Sequence, residues 1–190
     1  MVASLSVYYD FGGSDGSPGT NQDVDALGPP NVRFKTADNA TIDTNDPVSI
    51  PAAGTNYSYW KHLYLYCDTA PDTQVDNVQF YTDGTCSWGT GVTLQIGWEC
   101  PTKNSGSDSG YEVADEAVTM VSNHTEITSQ TDAFNFTSGS TKAISISEAS
   151  SVIDAIGETT DYSILQGNVA STAGPGDKDN ETLTFQYDEI

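Results

Sequence analysis

Carboxylates are the side chains of this chain best suited by type to do chemistry. Asp177, Asp179, Asn180 and Glu181 fall in one loop, and Asp23 and Asp25 in another. Oxygen-rich runs of this kind suit a hard cation, so Asp177, Asp179 and Glu181 form a candidate site for structural Ca2+ or Mg2+. No D-x-[DN]-x-[DN]-G run with a closing Glu accompanies them, and in so acidic a chain such clusters also arise by chance. A hydrolase would need a nucleophile and a base: Ser109 follows Asp108 in a Gly/Ser loop, and His62 and His124 are the only imidazoles. No G-x-S-x-G surrounds Ser109, and His62 lies inside an aromatic run, which predicts a loop serine and packing histidines. Glycoside cleavage needs a carboxylate pair, but acids are too evenly spread for spacing to select one. The expectation is a protein without catalytic residues and without a bound cofactor.

Sugar binding would use tryptophan platforms, and the chain has Trp60, Trp88 and Trp98. Trp98 is in phase with Val92, Leu94 and Ile96, which reads as core. Trp88, in the turn Ser87-Trp88-Gly89-Thr90-Gly91, is the better exposed candidate. Cys67, Cys86 and Cys100 are odd in number and contain no C-x-x-C pair, which argues against a zinc site or a disulfide framework. Reduced, half-buried thiols are the simplest reading; Cys86 and Cys100 flank one strand and would bridge only if a turn joined them.

Charge bounds the partners. The 190 residues carry 27 acids against 6 bases, a formal net charge of -21. Such a chain is repelled by phosphate backbones and anionic lipid, so neither nucleic acid nor membrane is an expected partner. Bases are sparse along the whole length, which favours a solvated acidic surface of the halophilic type over one acidic patch facing a basic partner. The opening run Met1–Tyr9 has no basic n-region and no long apolar h-region, which predicts assembly inside the cell.

The elements that must position these residues are strands. Val92, Leu94 and Ile96 alternate with polar neighbours, as do Leu183, Phe185 and Tyr187, and Val78 and Phe80. Period two marks half-buried antiparallel strands. Further strands are predicted over 5–11, 32–36, 58–67, 133–137, 142–147 and 162–169. The run 58–67 is bulky on both faces: Tyr59, Leu63 and Leu65 on one, Trp60, His62, Tyr64 and Tyr66 on the other. It is therefore either a central strand or a subunit contact, and Trp60, Tyr64 and Tyr66 are the candidate contact residues. Turn chemistry separates the runs at Gly12–Gly16, Gly28-Pro29-Pro30, Asp83-Gly84 and Gly174–Asp177. One short helix is predicted over Ser147–Gly157, with Ser147 as N-cap and Gly157 closing it. About nine short strands in one domain spanning 1–190 predict an all-β, antiparallel β-sandwich, jelly-roll-like in its spacing.

Three runs carry a likeness. Tyr59-Trp60-Lys61-His62-Leu63-Tyr64-Leu65, Val75–Gly84 with Trp88–Val92, and Glu181–Glu189 resemble blocks of β-rich virion structural proteins of tailed viruses. The likeness covers the middle third and the C-terminus and leaves 1–56 outside. It implies a non-enzymatic role in the virion, with copies of itself and the major capsid protein as partners. A lattice-forming shell protein would need a long helix and an extended arm, which are not evident, whereas a capsid decoration or turret subunit needs a compact sandwich. With the charge, this points to a halophilic host. A tail-tube protein is the alternative, and a secreted carbohydrate- or calcium-binding sandwich the alternative of another class.

Overall fold

A strand bulky on both faces needs cover on both faces, and the computed structural model supplies it from the same chain. It describes residues 2–28 and 31–190; Met1 and the Pro29-Pro30 half of a predicted turn lie outside the described residues. The large sheet contains β1 (Ser4–Phe11), β2 (Thr20–Asp23), β3 (Thr55–Tyr57), β4 (Lys61–Thr69), β6 (Val92–Gly97), β7 (Gln130–Asp132) and β9 (Ser163–Ala170). Its order is β2-β1-β4-β9-β6-β7, with β3 also on β9. The small sheet, ordered β10-β5-β8, contains β5 (Val75–Tyr81), β8 (Lys142–Ala143) and β10 (Thr184–Glu189). Every pairing within these sheets is antiparallel. The chain is an all-β antiparallel sandwich.

Alternation sorts the side chains between two cores. Leu63, Leu65 and Cys67 of β4, Leu94 and Ile96 of β6 and Leu165 of β9 meet Val78 and Phe80 of the small sheet. On the opposite face, Trp60, Tyr64, Tyr162 and Ile164 pack under Tyr111, Met120 and Ile127, which belong to a mostly irregular outer layer. Each such side chain, when fully buried, contributes about 1.5–3 kcal/mol. The outer layer is tied down by Gln166, whose Nε2 donates to the carbonyls of Ser58 and Val118 while its Oε1 accepts from the Met120 N–H.

The line of β4 is broken. Tyr57 pairs with Asn168 and Lys61 with Leu165, so β3 and β4 run along the same side of β9. At the break, Ser58 N–H donates to the Gly167 carbonyl at 2.9 Å, and Ser58 Oγ accepts from Gly167 N–H at 3.0 Å. A β-carbon on Gly167 would fall 3.0 Å from Cβ of Phe34, so the glycine lets the 31–36 segment cross closely.

Several predicted elements differ. Residues 32–36 form no strand, because their backbone bonds go to Tyr59 and Asp46 rather than to a ladder. Residues 133–135 form a 3-10 turn capped by Asp132, which accepts from Phe134 N–H at 2.9 Å. Only Lys142–Ala143 of 142–147 enters a ladder. The helix expected over 147–157 is absent: Ser151 is left-handed at φ 59°, Ser150 Oγ donates to the Val152 carbonyl, and Ile153 bridges to Val75. Serine and aspartate offer the backbone local alternatives to a helix, and here they prevail. The one α-helical turn among the described residues, α1, spans Met120–Asn123. Trp98 is not core: it is 59% exposed, just past the end of β6.

Candidate functional site

The most concentrated chemistry of the molecule lies between β1, the strand β9 and the Gly/Ser hairpin 103–108. Asn104 and Ser107 close the hairpin through paired backbone bonds, and Gly110 N–H donates to the Thr102 carbonyl at 2.7 Å. This fold-back turns Lys103 inward, with its side chain 8% exposed. Lys103 Nζ lies 3.1 Å from Oδ2 of Asp10, which is 1% exposed, and in closer contact with Oδ1 of Asp108. The ammonium sits over the Tyr64 ring, 4.2 Å from its centroid, and 5.1 Å from that of Tyr162. Tyr162 and Tyr64 donate to the two oxygens of Asp10 at 2.6 and 3.1 Å. Burial pushes the Asp10 carboxyl pKa up, against the opposing pull of Lys103. Asp161 braces the hairpin from behind: it accepts from Lys103 N–H and from Ser147 Oγ, both at 2.8 Å.

A polar cavity of about 480 Å3 opens beside this cluster, lined by Tyr64, Tyr66, Lys103, Asn104, Asp108 and Thr159 among others. Tyr66 is half-buried there and leans on Tyr8, with ring centroids 5.0 Å apart.

The histidines sit deeper in the same layer. Their rings are 5.6 Å apart, with His62 against Tyr111 and His124 against Trp60. Glu112 N–H donates to His62 Nε2 at 3.4 Å and Glu126 N–H to His124 Nδ1 at 3.3 Å. Burial lowers both imidazole pKa values. Each acts as an acceptor for backbone, and Ser109 stands apart on the exposed hairpin with its N–H on Ser107 Oγ.

The sequence-selected residues are placed as follows. Trp60 and Tyr64 are buried inside the chain's own second core, so they are not available to a neighbouring copy; the bulky second face belongs to a central strand, not to a subunit contact. Tyr66 alone of the three is half-buried rather than buried, in the cavity wall. Asp177, Asp179 and Glu181 each face a different partner. Asp177 pairs with Arg33 at 3.2 Å while 69% exposed, the Asp179 carbonyl accepts from Trp88 Nε1 at 2.8 Å, and Glu181 accepts from Ser87. Among the described residues no group of three or more His, Cys, Asp or Glu is gathered to hold a metal ion. Trp88 is half-buried between Phe34 and Phe134 rather than presented as a platform. Cys67, Cys86 and Cys100 are all free thiols, Cys67 buried.

Sequence reasoning passed over Asp10, Lys103 and Tyr162. Nothing in their spacing joins them, since 93 residues separate Asp10 from Lys103 and 59 separate Lys103 from Tyr162. The one usable signal is a lone lysine in a loop otherwise made of Gly, Ser, Asn and Asp.

No protein-family model, curated protein or solved structure matches the chain.

Proposed function

We propose that the chain is a non-enzymatic structural subunit of a tailed-virus particle, a capsid decoration or turret protein suited to a salt-rich host. The observation that supports this reading is how charge is sorted. Lys35, Lys61, Lys103 and Lys142 are buried, whereas only Asp10, Glu148 and Asp161 among the acids are. That leaves 24 carboxylates against two cations, Arg33 and Lys178, for the outer shell. An exterior of one sign keeps the protein off packaged nucleic acid and needs salt to screen it, while the cations it has serve the interior. Its partners are copies of itself and the shell beneath it. With Trp60 and Tyr64 inside, the contact falls to exposed apolar side chains such as Trp98 and Ile156.

Molar mass by light scattering, at about 1 M and about 0.1 M salt with and without chelator, tests the reading. A discrete trimer, pentamer or hexamer supports a particle subunit, and its order separates turret from tail ring. Loss of assembly in a Trp98→Ser, Ile156→Ser variant that still melts cooperatively would locate the contact. A monomer in every condition turns the reading to a secreted carbohydrate- or calcium-binding module. Trp98, leaning on Phe136 at 5.8 Å, is the feature that favours that second reading, and a glycan-binding assay of the same variant checks it.

A further inference from the structure

We propose that Lys103 condenses with Asp108 to form an intramolecular isopeptide bond, with Asp10 as the proton carrier. The four buried lysines are not alike. Lys35 meets one carboxylate, Asp43, and a carbonyl; Lys61 meets the Tyr9 hydroxyl; Lys142 meets Cys100 Sγ and a carbonyl. Lys103 alone among them touches two carboxylates, in a pocket walled by the Tyr64 and Tyr162 rings.

That arrangement holds the two reacting groups in contact. Passing one proton from the Lys103 ammonium to the Asp108 carboxylate across their direct contact gives the amine and carboxylic acid that condensation requires. The amine then lies against the acid without having to find it; such fixed neighbours react as though at about 10^5–10^8 M. The two aspartates are not equivalent. Asp10 is clamped by both tyrosine hydroxyls and fully enclosed, so it has fixed oxygens at the amine and no route for a departing molecule. Asp108 is half-exposed and lines the polar cavity, so a water released there has an exit.

The bond changes balance without a further reactant. The Lys103 nitrogen lone pair attacks Cγ of Asp108, and a C–N bond forms. Asp10 takes a proton from that nitrogen and delivers it to the departing hydroxyl as the C–O bond breaks. One water leaves; nothing is oxidised or reduced. The product replaces the Lys103–Asp108 ion pair with a neutral amide and leaves Asp10 held by the two tyrosine hydroxyls. This inference is independent of the assembly reading above.

Intact-mass measurement of the purified chain, followed by tryptic digestion and fragmentation, tests it. The expected result is a chain lighter than its sequence by one water, uncut after Lys103, with the loss mapped to a link between Lys103 and Asp108. Asp108→Ala and Lys103→Arg should both restore the full mass, and Asp10→Asn should leave the bond unformed. A full-mass chain that trypsin cuts after Lys103 overturns the proposal. So does a link mapped to Asp10, or a water loss that survives Lys103→Arg and therefore marks an aspartate cyclised on its own backbone. The wild-type digest decides by itself, so the outcome does not hang on any variant folding.

Discussion

His62 and His124 show how single buried side chains set a condition on the whole fold. Both accept a backbone N–H, and protonating either would place a cation in a dry layer lined by Trp60, Tyr111 and Tyr162. Glu112 lies 3.8 Å from His124 and offsets part of that cost; Lys61 and Lys103 add to it at His62. Burial depresses both pKa values below the ordinary imidazole value, so in this range the unfolded chain binds more protons than the folded one. Stability from the pair is therefore complete above about pH 6.5 and is lost as pH falls below it. Thermal melts at about pH 7.5, 6.5 and 5.5 should fall in midpoint toward acid, and His124→Gln should flatten that slope. A slope unchanged by His124→Gln would assign the acid sensitivity elsewhere. Asp10 and Asp161 oppose the trend, because burial raises their carboxyl pKa values and acid then favours the fold. Their contribution is full near the ordinary carboxylate range, about pH 4, and is lost as pH rises from there through their raised pKa values.

Elements were legible where one face is apolar and the other wet. The alternation of 92–96 and of 183–187 became β6 and β10, and the two-faced run 58–67 became the central β4. Where a segment answers to a side chain far away, the pattern was silent or misleading. Glu148 is the second residue of the run that reads as a helix, yet its carboxylate accepts from the N–H groups of Ser105 and Thr159, which holds the segment open. Trp98 continues the period of β6, but the strand ends at Gly97 and the chain turns it outward. The candidate site was the least legible part: a sequence rule assigns lysines to solvent, and only the fold shows what encloses Lys103. The hairpin that turns Lys103 inward depends on close backbone approach. A β-carbon on Gly110 would lie 2.3 Å from the Thr102 nitrogen and 2.6 Å from the Pro101 carbonyl carbon, whereas at Gly139 nothing lies within 4 Å. Gly110→Ala should cost about 1–3 kcal/mol in urea unfolding. Gly139→Ala should stay within about 0.5 kcal/mol. Equal effects at the two positions would mean that the 102–110 fold-back carries no special constraint.

At the scale of the molecule the question is what holds together a body whose outer shell is almost all of one sign. The interior is screened little by salt: Lys61 is held by the Tyr9 hydroxyl and Lys103 by Asp10 in buried surroundings, where mobile ions do not reach. The exterior is exposed to them. With Arg33 and Lys178 as its only unburied bases, repulsion among surface carboxylates acts over the Debye length, which grows from about 3 Å at 1 M to about 10 Å at 0.1 M. Folding draws these charges closer than in the unfolded chain, so the cost falls on the folded state. The melting midpoint should therefore drop as salt is lowered across that range, by about 2–4 °C for each kcal/mol lost in a chain of this size. Sucrose separates screening from a general strengthening of burial, since it is excluded from the surface but carries no charge. If screening is the cause, sucrose raises the midpoint by the same increment at low and high salt and leaves the gap between them, whereas sodium chloride closes it. A midpoint flat in salt would remove the salt-rich host from the proposal while leaving the sandwich intact. A gap between low and high salt that sucrose closes as fully as sodium chloride would trace the loss to burial and exonerate the charge.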